Sequence, residues 1–122
     1  MHIDLAKRLG KPLMIHNREA DAEILDVLAA EDAPETVIFH CFSSGPEMAR
    51  ACVDAGWLLS LSGTVSFKNA KDLQQAAALI PPDQLLVETD APVPDAAPPT
   101  AGGAQRAVLP AVHRAGARPD PR

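Results

Sequence analysis

Short apolar runs alternate with helical patterns along the first ninety residues of the chain. The runs predict four strands, at residues 13–15, 36–39, 57–61 and 85–87. Between them, apolar residues recur every three or four positions and predict helices over residues 2–9, 19–31, 46–56 and 69–80, with Asn69 as the N-cap of the last. The strands are continuously apolar rather than alternating, which is typical of a parallel sheet whose outer face is covered by helices.

Repeated strand–helix units define an α/β fold. Four such units are half of a (β/α)₈ TIM barrel, which takes about 250 residues to close, whereas this chain has 122. We therefore expect residues 1–92 to form a partial barrel. Residues 93–122 form a Pro/Ala-rich tail; residues 91–122 hold seven of the twelve prolines and no Ile, Phe or Trp. Such a composition cannot bury a helix or strand face, so the tail is expected to be disordered.

Three of the predicted strands run into a residue that can bind metal: His16, His40 and Asp90. The carboxyl ends of barrel strands share one face, and that face carries the chemistry. A lone histidine after an apolar run is more often a hydrogen-bonded structural residue, so the prediction of a metal site depends on the coincidence of all three. Imidazole and carboxylate ligands suit a divalent ion such as Zn²⁺, Mn²⁺ or Mg²⁺ without choosing among them.

Charge and cysteine usage limit the function classes. The formal net charge is −5, and residues 1–90 hold seven basic against fourteen acidic side chains. This balance argues against a broad basic surface for duplex DNA, so a phosphate substrate would have to be held by metal cations. Cys41 and Cys52 lack C-x-x-C spacing, which argues against a zinc knuckle. With no apolar run of 18 residues and no signal-peptide pattern, we expect a cytoplasmic protein without membrane association.

Four motifs carry a family resemblance: I-H-N-R-E-A at 15–20, F-H-C-F-S at 39–43, S-G-T-V-S-F-K-N-A at 62–70 and L-L-V-E-T-D-A-P at 85–92. In order and spacing they resemble the TatD-type metal-dependent deoxyribonucleases, over residues 2–92. The resemblance implies a (β/α)₈ barrel that binds divalent metal and hydrolyses phosphodiester bonds. It also implies that His16, His40 and Asp90 are metal ligands on the fifth, sixth and eighth strands, with Asp90 as the general base.

The chain departs from the family pattern in two places. The H-x-H-x-D strand and a later ligand Glu have no counterpart here, which favours a non-catalytic truncated fragment as the alternative to an enzyme. After Pro92 the chain reads V-P-D-A-A-P-P-T, where the family continues Y-L-T-P-x-P. Our hypothesis for the tail is a one-base insertion after the Pro92 codon. A smaller departure is Ser44, where many family members have Gly.

Other candidate roles stay open at this point. Arg18 could bind a substrate phosphate or pair with Glu19 or Asp21, and Ser62 could shape the substrate loop or simply turn the chain. Glu88 could support a metal ligand or be a solvated strand residue. The substrate could be DNA, another phosphodiester, or an ester or amide linkage. Two strand edges, at 13–15 and 85–87, could lead to self-association.

Overall fold

The computed structural model describes residues 1–89, and it confirms the predicted alternation of strands and helices. The elements are α1 (His2–Leu9), β1 (Leu13–His16), α2 (Asp21–Ala30), β2 (Val37–His40), α3 (Pro46–Asp54), β3 (Leu58–Leu61), a 3₁₀ helix (Gly63–Ser66), α4 (Lys71–Leu79) and β4 (Leu85–Val87). Asp90 and the predicted disordered tail lie outside the described residues. None of the helices within residues 1–89 has the length and apolarity that a membrane span requires.

The four strands form one parallel sheet in chain order, β1-β2-β3-β4. Each strand pairs with the next one in sequence, so every connection is a strand–helix–strand unit. The register aligns Leu13 with Val37 and His16 with His40, at opposite ends of β1 and β2. Within the described part of the chain, β1 and β4 are the two edges of the sheet. The predicted α/β class and the parallel sheet are confirmed.

One face of the sheet packs against the helices. Val37, Phe39 and Leu59 are fully buried there, together with Cys52 of α3 and Ala76 of α4. Because successive strand residues point to opposite faces, the residues between them belong to the other face. That second face includes Met14 and Leu86, which are 62% and 38% exposed. The helices therefore cover one side of the sheet, and the other side carries the strand-end polar residues.

Glycine and proline residues mark the ends of two helices. Gly10 ends α1 in the left-handed conformation (φ 58°), and the N–H of Lys11 donates to the carbonyl of Ala6 at 2.9 Å, as is typical of a glycine-terminated helix. Pro46 occupies the first turn of α3, where its missing N–H costs no helical hydrogen bond.

The predicted N-cap role of Asn69 is wrong. The helix α4 begins at Lys71, and Ala70 is its cap residue, with no side-chain hydrogen bond. The N–H of Ala70 donates instead to the carbonyl of Phe67 at 3.0 Å. The Gln74 amide secures the same turn by donating to that carbonyl, also at 3.0 Å. A turn closed by these bonds carries the chain past Asn69 before the helix starts.

Candidate metal centre

The carboxyl ends of β1 and β2 bring two histidines together. His16 and His40 are register partners, and their ring centroids are 6.4 Å apart with the planes tilted by 41°. The two side chains lie on the same face of the sheet because directly paired residues of neighbouring strands point to the same side. His16 is exposed, whereas the His40 side chain is only 27% exposed. The sequence prediction that these two residues converge is thus met in the geometry.

Glu88, just after β4, connects to the end of β2. Its Oε2 lies 2.6 Å from Nδ1 of His40, and its Oε1 accepts a hydrogen bond from the backbone N–H of Cys41. β3 lies between β2 and β4 in the sheet. Ser60 of β3 and Ser62, the residue just after β3, lie near this crossing, and both are small and buried. Their size leaves room for the carboxylate to reach over β3, which a larger side chain would fill.

The carboxylate determines how the His40 ring can act. A carboxylate accepts hydrogen bonds, so it keeps the proton of a neutral His40 on Nδ1. Coordination of a metal ion by this ring would then be through Nε2. Carboxylate–histidine pairs of this kind orient the ring and raise its basicity in metal sites. Two roles were considered for Glu88, supporting a metal ligand or being a solvated strand residue. The contact with the His40 ring favours the first.

Cys41 begins the loop after β2 in an unusual conformation. Its φ is +48°, a region that a non-glycine residue occupies only when the surroundings hold it there. The bond from its N–H to Glu88 is one such restraint. The Cys41 thiol lies 3.3 Å from Oγ of Ser62, whose hydroxyl lies 3.0 Å from that of Thr64. These contacts tie the ends of β2 and β3 together.

A cleft of about 450 Å³ opens beside the histidine pair. Its lining includes His16, Asn17, Arg18, Cys41, Phe67 and Asn69. Arg18 is exposed to this cleft. Ser62 is 4% exposed and lies behind the lining, where it supports Cys41 and Thr64. The cleft therefore combines one imidazole, one guanidinium and the carboxylate of Asp72 with a mixed polar and apolar wall.

The ion pair considered for Arg18 does not form within residues 1–89. The carboxylate of Asp21 instead accepts hydrogen bonds from Asn17, which is buried, and from Ser44. Sequence reasoning did not predict a role for Asn17 or for the hydroxyl of Ser44. The only signal was positional, because each residue lies in a loop that directly follows a strand-end histidine.

The donor atoms present fit part of a divalent metal site. Two imidazoles and a supporting carboxylate are the chemistry expected around a zinc- or manganese-type ion. Within residues 1–89, however, no three His, Cys, Asp or Glu side chains gather closely enough to hold an ion. Asp90, the third predicted ligand, lies outside the described residues. The described part therefore provides two nitrogen donors and the residue that orients one of them.

A parallel strand–helix repeat with imidazoles at the carboxyl ends of consecutive strands is the architecture of (β/α)-type metal-dependent hydrolases. A family model described as "TatD related DNase" matches residues 1–115. The chain belongs to this TatD family.

Individual relatives agree with that assignment. The chain is 74% identical over 91 residues to the uncharacterized metal-dependent hydrolase TatD of Mycobacterium tuberculosis, covering 75% of this chain and 34% of the relative. It is 41% identical over 92 residues to the uncharacterized metal-dependent hydrolase YcfH of Escherichia coli K12, covering 75% of this chain and 35% of the relative. The chain thus spans about a third of the length of the curated relatives it matches.

Solved structures show the same fold. The TatD homologue YjjV of Escherichia coli K12 superposes with a TM-score of 0.69 at 30% identity, covering 84% of this chain and 38% of that one. A TatD-family hydrolase from Entamoeba histolytica superposes with a TM-score of 0.58 at 20% identity, covering 71% of this chain and 29% of that one. At that identity, the second similarity supports the fold alone.

Proposed function

We propose that this chain provides part of the active site of a divalent-metal-dependent hydrolase that acts on phosphodiester bonds. In this proposal the described sheet is part of a (β/α)₈ barrel, and β1 to β4 are its fifth to eighth strands. The observation that carries the proposal is the pairing of His16 with His40, together with the contact from Glu88 to the His40 ring. A structural histidine pair would not need a carboxylate placed to select one tautomer.

Each residue then has a distinct task. His16 and His40 would hold the ion through ring nitrogens, and Glu88 would keep the proton of His40 on Nδ1. Asp90 is proposed as a further ligand and as the general base that takes a proton from the attacking water. A bound divalent ion would supply Lewis acidity, activating water and neutralising charge that develops on the phosphate.

Arg18 supports a phosphate-containing substrate. It is a cation on the wall of the cleft, in a chain whose overall charge is negative. A guanidinium can donate two parallel hydrogen bonds to phosphate oxygens. The description of the matching family as DNase-related points the same way. An uncharged ester or amide substrate would give Arg18 no comparable role, so we rank it second.

Metal binding tests the site directly. We expect calorimetry with Zn²⁺ and Mn²⁺ on the full chain to show binding that His16→Ala or His40→Ala weakens about tenfold or more. His2→Ala is the matched control, because His2 is in α1, away from the sheet edge. Tight binding that neither strand-end substitution changes would show that the site is elsewhere. Turnover of a DNA oligonucleotide compared with ester and amide substrates then identifies the bond that is cleaved.

One observation favours a second candidate, in which the 122-residue chain does not catalyse by itself. The described residues contain no group of three metal-binding side chains. If Asp90, outside the described residues, does not join His16 and His40, the site has fewer protein ligands than the three of a catalytic zinc centre. Under this reading the chain binds metal but hydrolyses none of the three substrates at saturating metal concentration.

A further inference from the structure

Three side chains connect the two loops that follow the strand-end histidines. Asn17 belongs to the connection from β1 to α2, Asp21 is the first residue of α2, and Ser44 belongs to the connection from β2 to α3. We call these residues the loop triad. The Asn17 amide nitrogen donates to Asp21 Oδ1 and, at 3.1 Å, to Oγ of Ser44. Ser44 in turn donates to the same Asp21 oxygen at 2.7 Å.

The loop triad is a closed set of bonds. Both amide protons of Asn17 are used, and Asp21 accepts from both partners through one oxygen. The remaining atom of the Asn17 amide, Oδ1, accepts from the backbone N–H of Ala20 at 3.2 Å. Asn17 is only 8% exposed, so its bonds face little competition from water. Consequently the loop triad joins the two loops through a single, largely buried amide.

Arg18 lies inside the part of the loop that these bonds enclose. Asn17 precedes it, Glu19 follows it with φ at +55°, and Ala20 is bonded back to Asn17. Arg18 forms no ion pair with another residue in the range 1–89. The backbone of this short turn, rather than a side-chain partner, therefore sets where the Arg18 side chain begins and the side of the loop from which it projects.

We infer that the loop triad is a positioning element for phosphate binding. It holds the backbone of Arg18 at the cleft wall beside His16, so that one phosphate group can reach both the guanidinium and the metal-binding edge. The inference rests on the proposed function, because it assigns a phosphate to this cleft. Asp21 and Ser44 do not line the cleft and act only through Arg18, whereas Asn17 also borders the cleft beside Arg18.

A double-mutant cycle on the full chain tests this role. The probe is bis(4-nitrophenyl) phosphate, titrated in the presence of Zn²⁺ and followed by NMR. We expect Ser44→Ala and Asp21→Ala to weaken binding at least about threefold, and Ser44→Thr, which keeps the hydroxyl, to bind like the parent. In an Arg18→Ala background, Ser44→Ala should cause no further loss. Asp26→Ala, on the exposed side of the same helix, is the matched control.

The cycle separates positioning from general destabilisation. A variant that merely loosens the fold would weaken binding equally with and without Arg18, and that result would overturn the inference. Unchanged binding in Ser44→Ala and Asp21→Ala would do the same.

Failure of the proposed function has a different signature. If the parent chain does not bind the probe, backbone ¹⁵N relaxation of residues 18–20 still reports on the loop triad. Loss of order in Ser44→Ala, restored in Ser44→Thr, supports the positioning role. Unchanged order in Ser44→Ala overturns it.

Discussion

Replacing Glu88 by glutamine should reverse the tautomer of His40. The carboxylate accepts two hydrogen bonds at once, from Nδ1 of His40 and from the N–H of Cys41. A glutamine amide has the same shape but only one oxygen. If that oxygen faces Cys41, the amide NH₂ faces Nδ1, which must then become the acceptor, and the ring proton moves to Nε2. If the amide is turned around, its oxygen accepts from Nδ1 of His40, and its NH₂ group faces the N–H of Cys41, so that two donors oppose each other.

The two arrangements have different costs. Turning the amide leaves the N–H of Cys41 unpaired, at about 1–3 kcal/mol for a buried group; the Glu88 side chain is 22% exposed, which places the cost at the lower end. Moving the proton to Nε2 blocks the nitrogen that would bind metal. Loss of such a supporting carboxylate weakens metal affinity about 10- to 100-fold, or roughly 1.4–2.8 kcal/mol. We expect the second arrangement, so that Glu88→Gln weakens metal binding and changes the free energy of unfolding little.

Long-range ¹H–¹⁵N spectra of the imidazoles measure the tautomer directly, and calorimetry measures the affinity for Zn²⁺. Glu35→Gln, in the exposed segment before β2, is the matched control and should change neither quantity. A parent chain with the His40 proton on Nε2 would refute the reasoning. So would a Glu88→Gln chain whose tautomer is unchanged and whose Zn²⁺ affinity is within about twofold of the parent.

Three further predictions concern the thiols and the sheet edges. Burial, with a smaller contribution from Asp21, raises the pKa of the Cys52 thiol from 9.0 to about 12. The thiol therefore ionises at a lower pH in the unfolded chain than in the folded one. The resulting stabilisation, up to about 4 kcal/mol of unfolding free energy, is fully present below pH 9 and is lost as the pH rises towards 12. Denaturant titrations should show that the stability of Cys52→Ala declines less steeply with pH over this range. In the folded chain a thiol reagent should modify Cys41 quickly and the fully buried Cys52 only on unfolding, so equal rates would contradict the fold. Sedimentation should show concentration-dependent association through the edges of β1 and β4, reduced by Leu86→Lys; a monomer at all concentrations would mean that these edges are closed in another way.

Much of the fold was predictable because it depends on local pattern. The apolar runs predicted the strands, and the recurrence of apolar residues every three or four positions predicted the helices between them. The convergence of His16 and His40 followed from the single fact that parallel strands end at the same edge. The position of Asn69 was mispredicted, because a turn held by bonds from Ala70 and Gln74 to Phe67 is invisible in residue preferences.

Other parts of the site depend on distances between elements that are remote in sequence. The reach of Glu88 to β2 requires both the β3–β4 register and small residues on β3, and neither follows from the identity of Glu88. The bonds among Asn17, Asp21 and Ser44 depend on how closely two loops approach. The proposed ligand role of Asp90 stays a prediction.

The order of strands in the sheet also bears on the order of events during folding. Since each strand pairs with the one just before it in the chain, the sheet can grow by addition at one edge as the polypeptide lengthens. The two imidazoles meet when β2 docks, across a separation of only 24 residues. Glu88 reaches His40 across 48 residues, and only after β4 has been added. A nascent chain thus brings the two imidazoles together early, and the carboxylate that bonds to the His40 ring arrives only with the fourth strand.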